Sequence, residues 1–228
     1  MKIEIYQVDA FADKIFSGNP AAVCPLENWL DDTMMQKIAM ENNLSETAFF
    51  VKEKNGYHIR WFTPAVEVDL CGHATLASAH VLFNHLQIPL GVIEFNSRSG
   101  ILKVRSNGEQ CIMDFPTDQI SQQNPPDEII KSIGIRPESS WKGKEDFMLV
   151  YAEQAIIETI KPDFKALAGS TGRGVIVTAP GKEVDFVSRF FAPQAGIDED
   201  PVTGSAHTTL TPYGSERLNK KKLTARQI

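Results

Sequence analysis

Apolar positions along the chain switch between two periods, and each switch marks an element. "IEIYQV" (3–8) reads as an opening strand, and "SGNPAAV" (17–23) reads as a turn leading into a second apolar segment. "DDTMMQKIAMENN" (31–43) follows helical spacing: Met34 and Ile38, like Met35 and Ala39, lie four apart. Asp31 or Asp32 caps its start, and Asn42 and Asn43 end it. In "TAFFVKEKNGYHIRWFT" (47–63) two β-prone runs flank Asn55-Gly56, whose positive φ angles predict a tight hairpin turn. "DLCGHATLASAH" (69–80) predicts a helix with almost no polar face, entered through an acid, a cysteine, a glycine and a histidine. "VIEFNSRSGILKVRSNGEQCIMDF" (92–115) predicts a three-stranded meander with corners at Gly100 and Asn107-Gly108.

Around residues 116–127 the composition shifts to Pro, Gln, Asp and Ser, which suits a connector between domains spanning 1–117 and 118–228. Beyond it the pattern predicts a short helix near "DEIIKSIG" and a strand near "FMLVYA". A helix near "AEQAIIETI", ended by Pro162, and strands near "GVIVTA" and "DFVSRFF" follow.

A repeat links the halves. "RWFTP" (60–64) and "RFFAP" (189–193) share the form Arg, aromatic, Phe, small, Pro, and each leads to an acid and then a glycine. Asp69, Gly72 and His73 follow the first, and Asp200, Gly204 and Ser205 follow the second. Duplicated domains would each present a strand, a turn and a helix N-terminus to one cleft. Helix N-termini carry unsatisfied N–H groups and about half a positive charge, so two of them facing inward suit an anionic substrate, typically a carboxylate.

With 228 residues, 42% of them hydrophobic and 23% charged, the chain can bury one large core or two modest ones. A formal charge of −6 disfavours nucleic acid and anionic membrane as main partners and leaves a small molecule as the default. No apolar run reaches the roughly 20 residues needed to cross a bilayer, and no apolar leader follows the start, so a cytoplasmic address is expected. Cys24, Cys71 and Cys111 are too few and too scattered for a disulfide framework or paired zinc ligands, and reduced thiols are expected.

"QVDAF" (7–11), "GNPAAV" (18–23), "LSETAF" (44–49), "DLCGHATLASAH" (69–80) and "DEDPVTGSAH" (198–207) together resemble the PhzF family of phenazine-biosynthesis-like isomerases. That family is similar in fold to diaminopimelate epimerase. The resemblance implies an α+β fold of two pseudo-symmetric domains, each a mixed, mostly antiparallel, barrel-like sheet wrapped around a central helix. It implies an active site between them, no metal, no organic cofactor and a homodimer. By position, Glu46 matches the family's acid/base carboxylate, and His73, Asp200 and Ser205 match its other active-site residues.

Taken by itself, Glu46 would be an ordinary exposed carboxylate. For proton transfer at carbon it must be partly desolvated, and Leu44, Ala48 and Phe49 could form the apolar wall. His73 reads alone as a capping imidazole and, in the family setting, as a substrate binder or proton relay. Asp200 either fixes the "DPVTG" turn or orients His73 or a polar substrate group. Ser205, with backbone N–H groups near Gly72 and Gly204, would cradle a carboxylate. Cys71 falls where epimerase relatives carry the first of two thiols, but the second position holds Thr203, so Cys71 reads as a small buried apolar side chain.

"GSTGRG" (169–174) lacks a phosphate loop's Gly-Lys-Ser/Thr ending and precedes a strand, so it reads as a flexible loop. The basic "ERLNKKKLTARQ" reads as a solvated face. The chain ends at "LTARQI", where relatives continue with further strands, some returning to the first domain, so the family's last strands are expected to be missing. Gly214 stands where relatives carry an aromatic residue, which removes packing from the second domain. The function expected is isomerisation of a small carboxylate-bearing, cyclic or unsaturated metabolite through Glu46. An amino-acid epimerase using Cys71 and a catalytically silent binding homologue are the alternatives.

Overall fold

In the computed structural model, which describes residues 2–12, 14, 17–108, 110–170 and 172–228, the chain forms two compact units, Met1–Phe115 and Pro116–Ile228. In the first, strands β1 (Tyr6–Ala10), β2 (Asn19–Leu26), β3 (Glu46–Lys52), β4 (Tyr57–Phe62), β5 (Glu67–Val68), β6 (Val92–Ser97), β7 (Gly100–Ser106) and β8 (Cys111–Asp114) make one sheet, ordered β1-β2-β3-β4-β6-β7-β8 with β5 on β4. Pairs β2–β3 and β4–β6 are parallel and the remainder antiparallel. Helix α1 (Asp32–Asn42) makes the first parallel crossover. It starts where the Asp31 carboxylate accepts the Thr33 N–H at 2.9 Å and stops at Asn43, whose φ of 51° breaks the helix.

Helix α2 (Gly72–His80) packs on β2, β3 and both edge strands β1 and β8, so the sheet curls around it. Its small residues permit that approach, and its hydroxyls are satisfied internally: Thr75 donates to the Cys71 carbonyl and Ser78 to the Ala74 carbonyl. Alternate residues of β2, β3 and β4 face opposite layers. Val23, Ala48, Phe50, Ile59 and Trp61 pack toward α2, while Cys24, Phe49 and Phe62 pack on Met35 and Ala39 of α1.

The structure departs from the sequence expectation at two turns. Asn19 and Pro20 already belong to β2, and the turn residue is Gly18, at φ 77°, where a Cβ would collide with the Ala10 carbonyl. The hairpin closes through four residues, 53–56, because Lys52 pairs with Tyr57; Gly56 takes the positive φ and Asn55 does not. Gly100 and Gly108 turn the meander as expected, both at positive φ.

The second unit orders β14-β13-β12-β11-β10-β9 with β15 on β13. These strands are β9 (Ser121–Gln122), β10 (Ser139–Lys142), β11 (Phe147–Val150), β12 (Val175–Pro180), β13 (Phe186–Ala192), β14 (Ile197–Asp200) and β15 (Ala225–Gln227). Only β11–β12 and β13–β15 are parallel. One face packs on α3 (Asp127–Ile133), α4 (Gln154–Thr159) and α5 (Phe164–Leu167), the other on α6 (Ala206–Leu218). Its strands therefore read as continuous apolar runs. Strands β9, β10 and β15 carry no periodic signal and escape sequence reading.

The repeat is physical. Arg60 makes a two-pronged ion pair with Glu67 (2.7 and 2.8 Å), and Arg189 does the same with Glu199 (2.6 and 2.9 Å). Each guanidinium also stacks on the Phe two residues on, Phe62 at 5.2 Å and Phe191 at 4.9 Å.

Candidate functional site

Because β2 and β3 run parallel with Ala21 opposite Glu46, their starting ends lie side by side. Asn19 opens β2, Glu46 opens β3, and both reach the start of α2, where Cys71 is the extended residue preceding the helix. Two of the expected site residues, Glu46 and His73, are brought together: His73 Nε2 lies 3.3 Å from Glu46 Oε2. On the other ring nitrogen, Nδ1 lies 3.4 Å from Asn19 Nδ2 and 3.5 Å from Cys71 Sγ. With the Asn19 amide nitrogen as donor, Nδ1 accepts and the ring proton is assigned to Nε2, on the Glu46 side.

Burial holds the His73 pKa down at about 4, so the ring is neutral near pH 7. The Glu46 side chain is 12% exposed, a largely dry carboxylate that keeps an opening to solvent. Of the wall expected from sequence, buried Ala48 shares the α2 face of β3 with Glu46, whereas Phe49 faces the other layer against α1, and Leu44 is half-buried. Among the described residues, Glu46, Cys71 and His73 are the group whose potential ligand atoms converge, all within 4.8 Å of one another. Cys71 and Glu46 approach different ring nitrogens, so one ion could take His73 through only one of them. A cavity of about 910 Å³ between β1, α2 and β8 is lined by other residues, among them Asp9, His80 and Cys111.

Asp200, Gly204 and Ser205 belong to the second unit and form a cluster of their own. Asp200 ends β14 and accepts the Thr203 hydroxyl at 2.6 Å, which is the turn-fixing role its neighbours suggest. Thr203, at the position of the epimerase relatives' second thiol, is thus committed to a hydrogen bond. Ser205 precedes α6 and makes no side-chain bond to that helix's N–H groups; its Oγ accepts from Arg173 Nη1 at 3.0 Å.

Three residues of these clusters escape sequence reasoning. Asn19 lies inside the quoted "GNPAAV" but carries no signal of its own. Arg173 lies in "GSTGRG", whose residue 171 is outside the described residues. Gln227 from β15 clamps the turn, its amide donating to the Asp200 carbonyl (2.5 Å) and Thr203 Oγ1 (3.1 Å) while accepting the Thr203 N–H (2.8 Å).

No helix among the described residues is long and apolar enough to cross a membrane. Residues 8–228 match the family model PhzC-PhzF, phenazine biosynthesis-like protein. An uncharacterized isomerase of Pseudomonas aeruginosa is 52% identical over all of this chain and 87% of its own length. A human phenazine biosynthesis-like domain-containing protein is 40% identical, over all of this chain and 88% of its own. The crystal structure of a PhzF-family protein from Enterococcus faecalis superposes with a TM-score of 0.90 at 48% identity, covering 99% of this chain and 86% of that one. The fold extends to the structure of a predicted epimerase from Pseudomonas aeruginosa (TM-score 0.73, 18% identity, covering 97% of this chain and 84% of that one). With the α+β fold of two curled mixed sheets, these likenesses show that the chain belongs to the PhzF family of phenazine-biosynthesis-like isomerases.

Proposed function

We propose that the chain moves a proton between carbons of a small carboxylate-bearing, cyclic or unsaturated metabolite without a cofactor, with Glu46 as general acid/base. The observation that carries this reading is the largely dry Glu46 carboxylate held 3.3 Å from the Nε2 of a neutral, buried His73. Glu46 takes a C–H proton, the electron pair enters the substrate's unsaturated system, and the same proton returns to another carbon. Atoms balance with one base. Neutral His73 can donate its Nε2–H to the carboxylate or to the substrate without competing for the proton, since its own basicity is suppressed. Ser205, with backbone N–H groups near Gly204, holds the substrate carboxylate.

The test is ¹H NMR of cyclohexadienyl and aromatic carboxylic acids incubated with the protein in D₂O. Wild type is expected to exchange or shift a ring proton of at least one compound. Glu46→Gln should keep the fold and lose that exchange, and retained exchange would remove Glu46 from the mechanism.

The Cys71–His73 contact of 3.5 Å favours one second reading, an epimerase using Cys71. Iodoacetamide separates the two: inactivation blocked by substrate supports the thiol, and indifference supports Glu46. The reading includes a cytoplasmic homodimer, for which sedimentation must give twice the 25.3 kDa chain mass.

A further inference from the structure

The loop ending in "GRG" is built around Arg173, which no reading of the site so far employs. Its guanidinium makes a two-pronged bond to Asp146, through Nε at 3.0 Å and through Nη2, and its Nε lies 3.1 Å from Glu145 Oε2. It lies 5.3 Å over the Phe190 ring. Asp146 is buried, and Gly174 is required because a Cβ there would strike that ring. The remaining arm, Nη1, donates to Ser205 Oγ at 3.0 Å. Held on three sides, the arginine is a fixed part of the second unit, in contrast to the flexible loop its sequence suggests.

A guanidinium has donors and no acceptor, so Arg173 occupies a lone pair of Ser205 Oγ and never its proton. The hydroxyl makes no bond to α6 either. Its hydrogen is left to point away from Arg173, toward whatever the start of α6 receives. Asp146 and Glu145 offset the arginine's charge, so the effect is directional and not a gain in positive potential. We infer that Arg173 is a positioning residue that fixes Ser205 as a hydrogen-bond donor to the substrate's carboxylate. Lysine cannot replace it, because one ammonium cannot meet a planar two-pronged carboxylate and the serine together. This rests on the reading of Ser205 as the carboxylate holder.

The test is an NMR titration of the full chain with sodium benzoate, following the amides of Gly204, Ser205 and Ala206. Arg173→Met is combined with Asp146→Asn so that no buried carboxylate is left unpaired, and the pair is made with and without Ser205→Ala. Ser205→Ala is expected to weaken benzoate about tenfold, the arginine pair by a similar factor, and the triple variant no further, because both changes remove one bond. Arg173→Lys, which keeps a charge beside Asp146, should weaken benzoate as much as Ser205→Ala does, and adding Ser205→Ala to it should weaken benzoate no further. Effects that multiply, or an arginine pair that binds like wild type, overturn the positioning role alone. A wild-type chain whose three amides do not respond to benzoate overturns the carboxylate role of Ser205 and this inference with it, leaving the Glu46 chemistry standing.

Discussion

His73 shows how one buried side chain makes stability depend on pH. Its pKa falls from 6.5 to about 4 on folding because burial disfavours the imidazolium. The unfolded chain therefore binds more protons between those values. The stability this residue contributes is complete above pH 6.5 and is lost as pH falls toward 4, by about 3 kcal/mol. His207 and His80 are shifted in the same direction by burial and add to the slope. Urea titrations at pH 7 and pH 4.5 should show a large loss in wild type and a smaller one in His73→Asn, and equal losses would refute the assignment. At this scale the chemistry was legible only through the family motifs. Glu and His, 27 positions apart, meet because a parallel strand pair and a helix start coincide, and no local spacing encodes that.

At the scale of elements, Pro212 inside α6 explains why the segment 116–127 is not a loose connector. Proline lacks the N–H that would have met the Thr208 carbonyl, and the backbone N–H of Asp118 takes that carbonyl at 3.2 Å. The Asp118 carboxylate then accepts Thr209 Oγ1 (2.9 Å) and the Lys144 N–H (3.1 and 3.2 Å). Asp118→Ala should cost about 1–2 kcal/mol in a urea titration, more than an exposed connector residue would. Gly214, expected from sequence to leave packing missing, is buried in the same helix beside a cavity of about 50 Å³ lined by Phe186, Leu210 and Tyr213. A Cβ there would meet Leu223 Cδ1 at 3.3 Å and Phe186 at 3.6 Å, contacts a flexible leucine can accommodate. Gly214→Ala should therefore stabilise the chain by about 0.5 kcal/mol through helix propensity, raising the melting temperature by about 1–2 °C.

Across the whole molecule the two "Arg, aromatic, Phe, small, Pro" strands place an arginine, a glutamate and a phenylalanine in matching arrangements, the mark of a duplicated unit. Arg60→Met leaves Glu67, whose side chain is 15% exposed, still paired with Arg98 at 2.6 Å, whereas Arg189→Met strands Glu199, at 34%. Thermal unfolding should show a loss of about 1–2 kcal/mol for each, and a further loss when Arg98→Met is added to Arg60→Met, because only then is Glu67 left without a guanidinium. The sequence by itself determined the elements with strong local periods: α1 between its aspartate and asparagine stops, the glycine-turned meander, the apolar strands of the second unit, and the repeat. It also carried the family motifs, because their residues are contiguous. Tertiary structure alone decided which strands run parallel, that β9, β10 and β15 exist, and that Asn19, Arg173 and Gln227 join the clusters. Those outcomes depend on hydrogen bonds between residues far apart in the chain, whose partners are chosen only when sheets curl and helices pack, and such a choice leaves no period in the sequence.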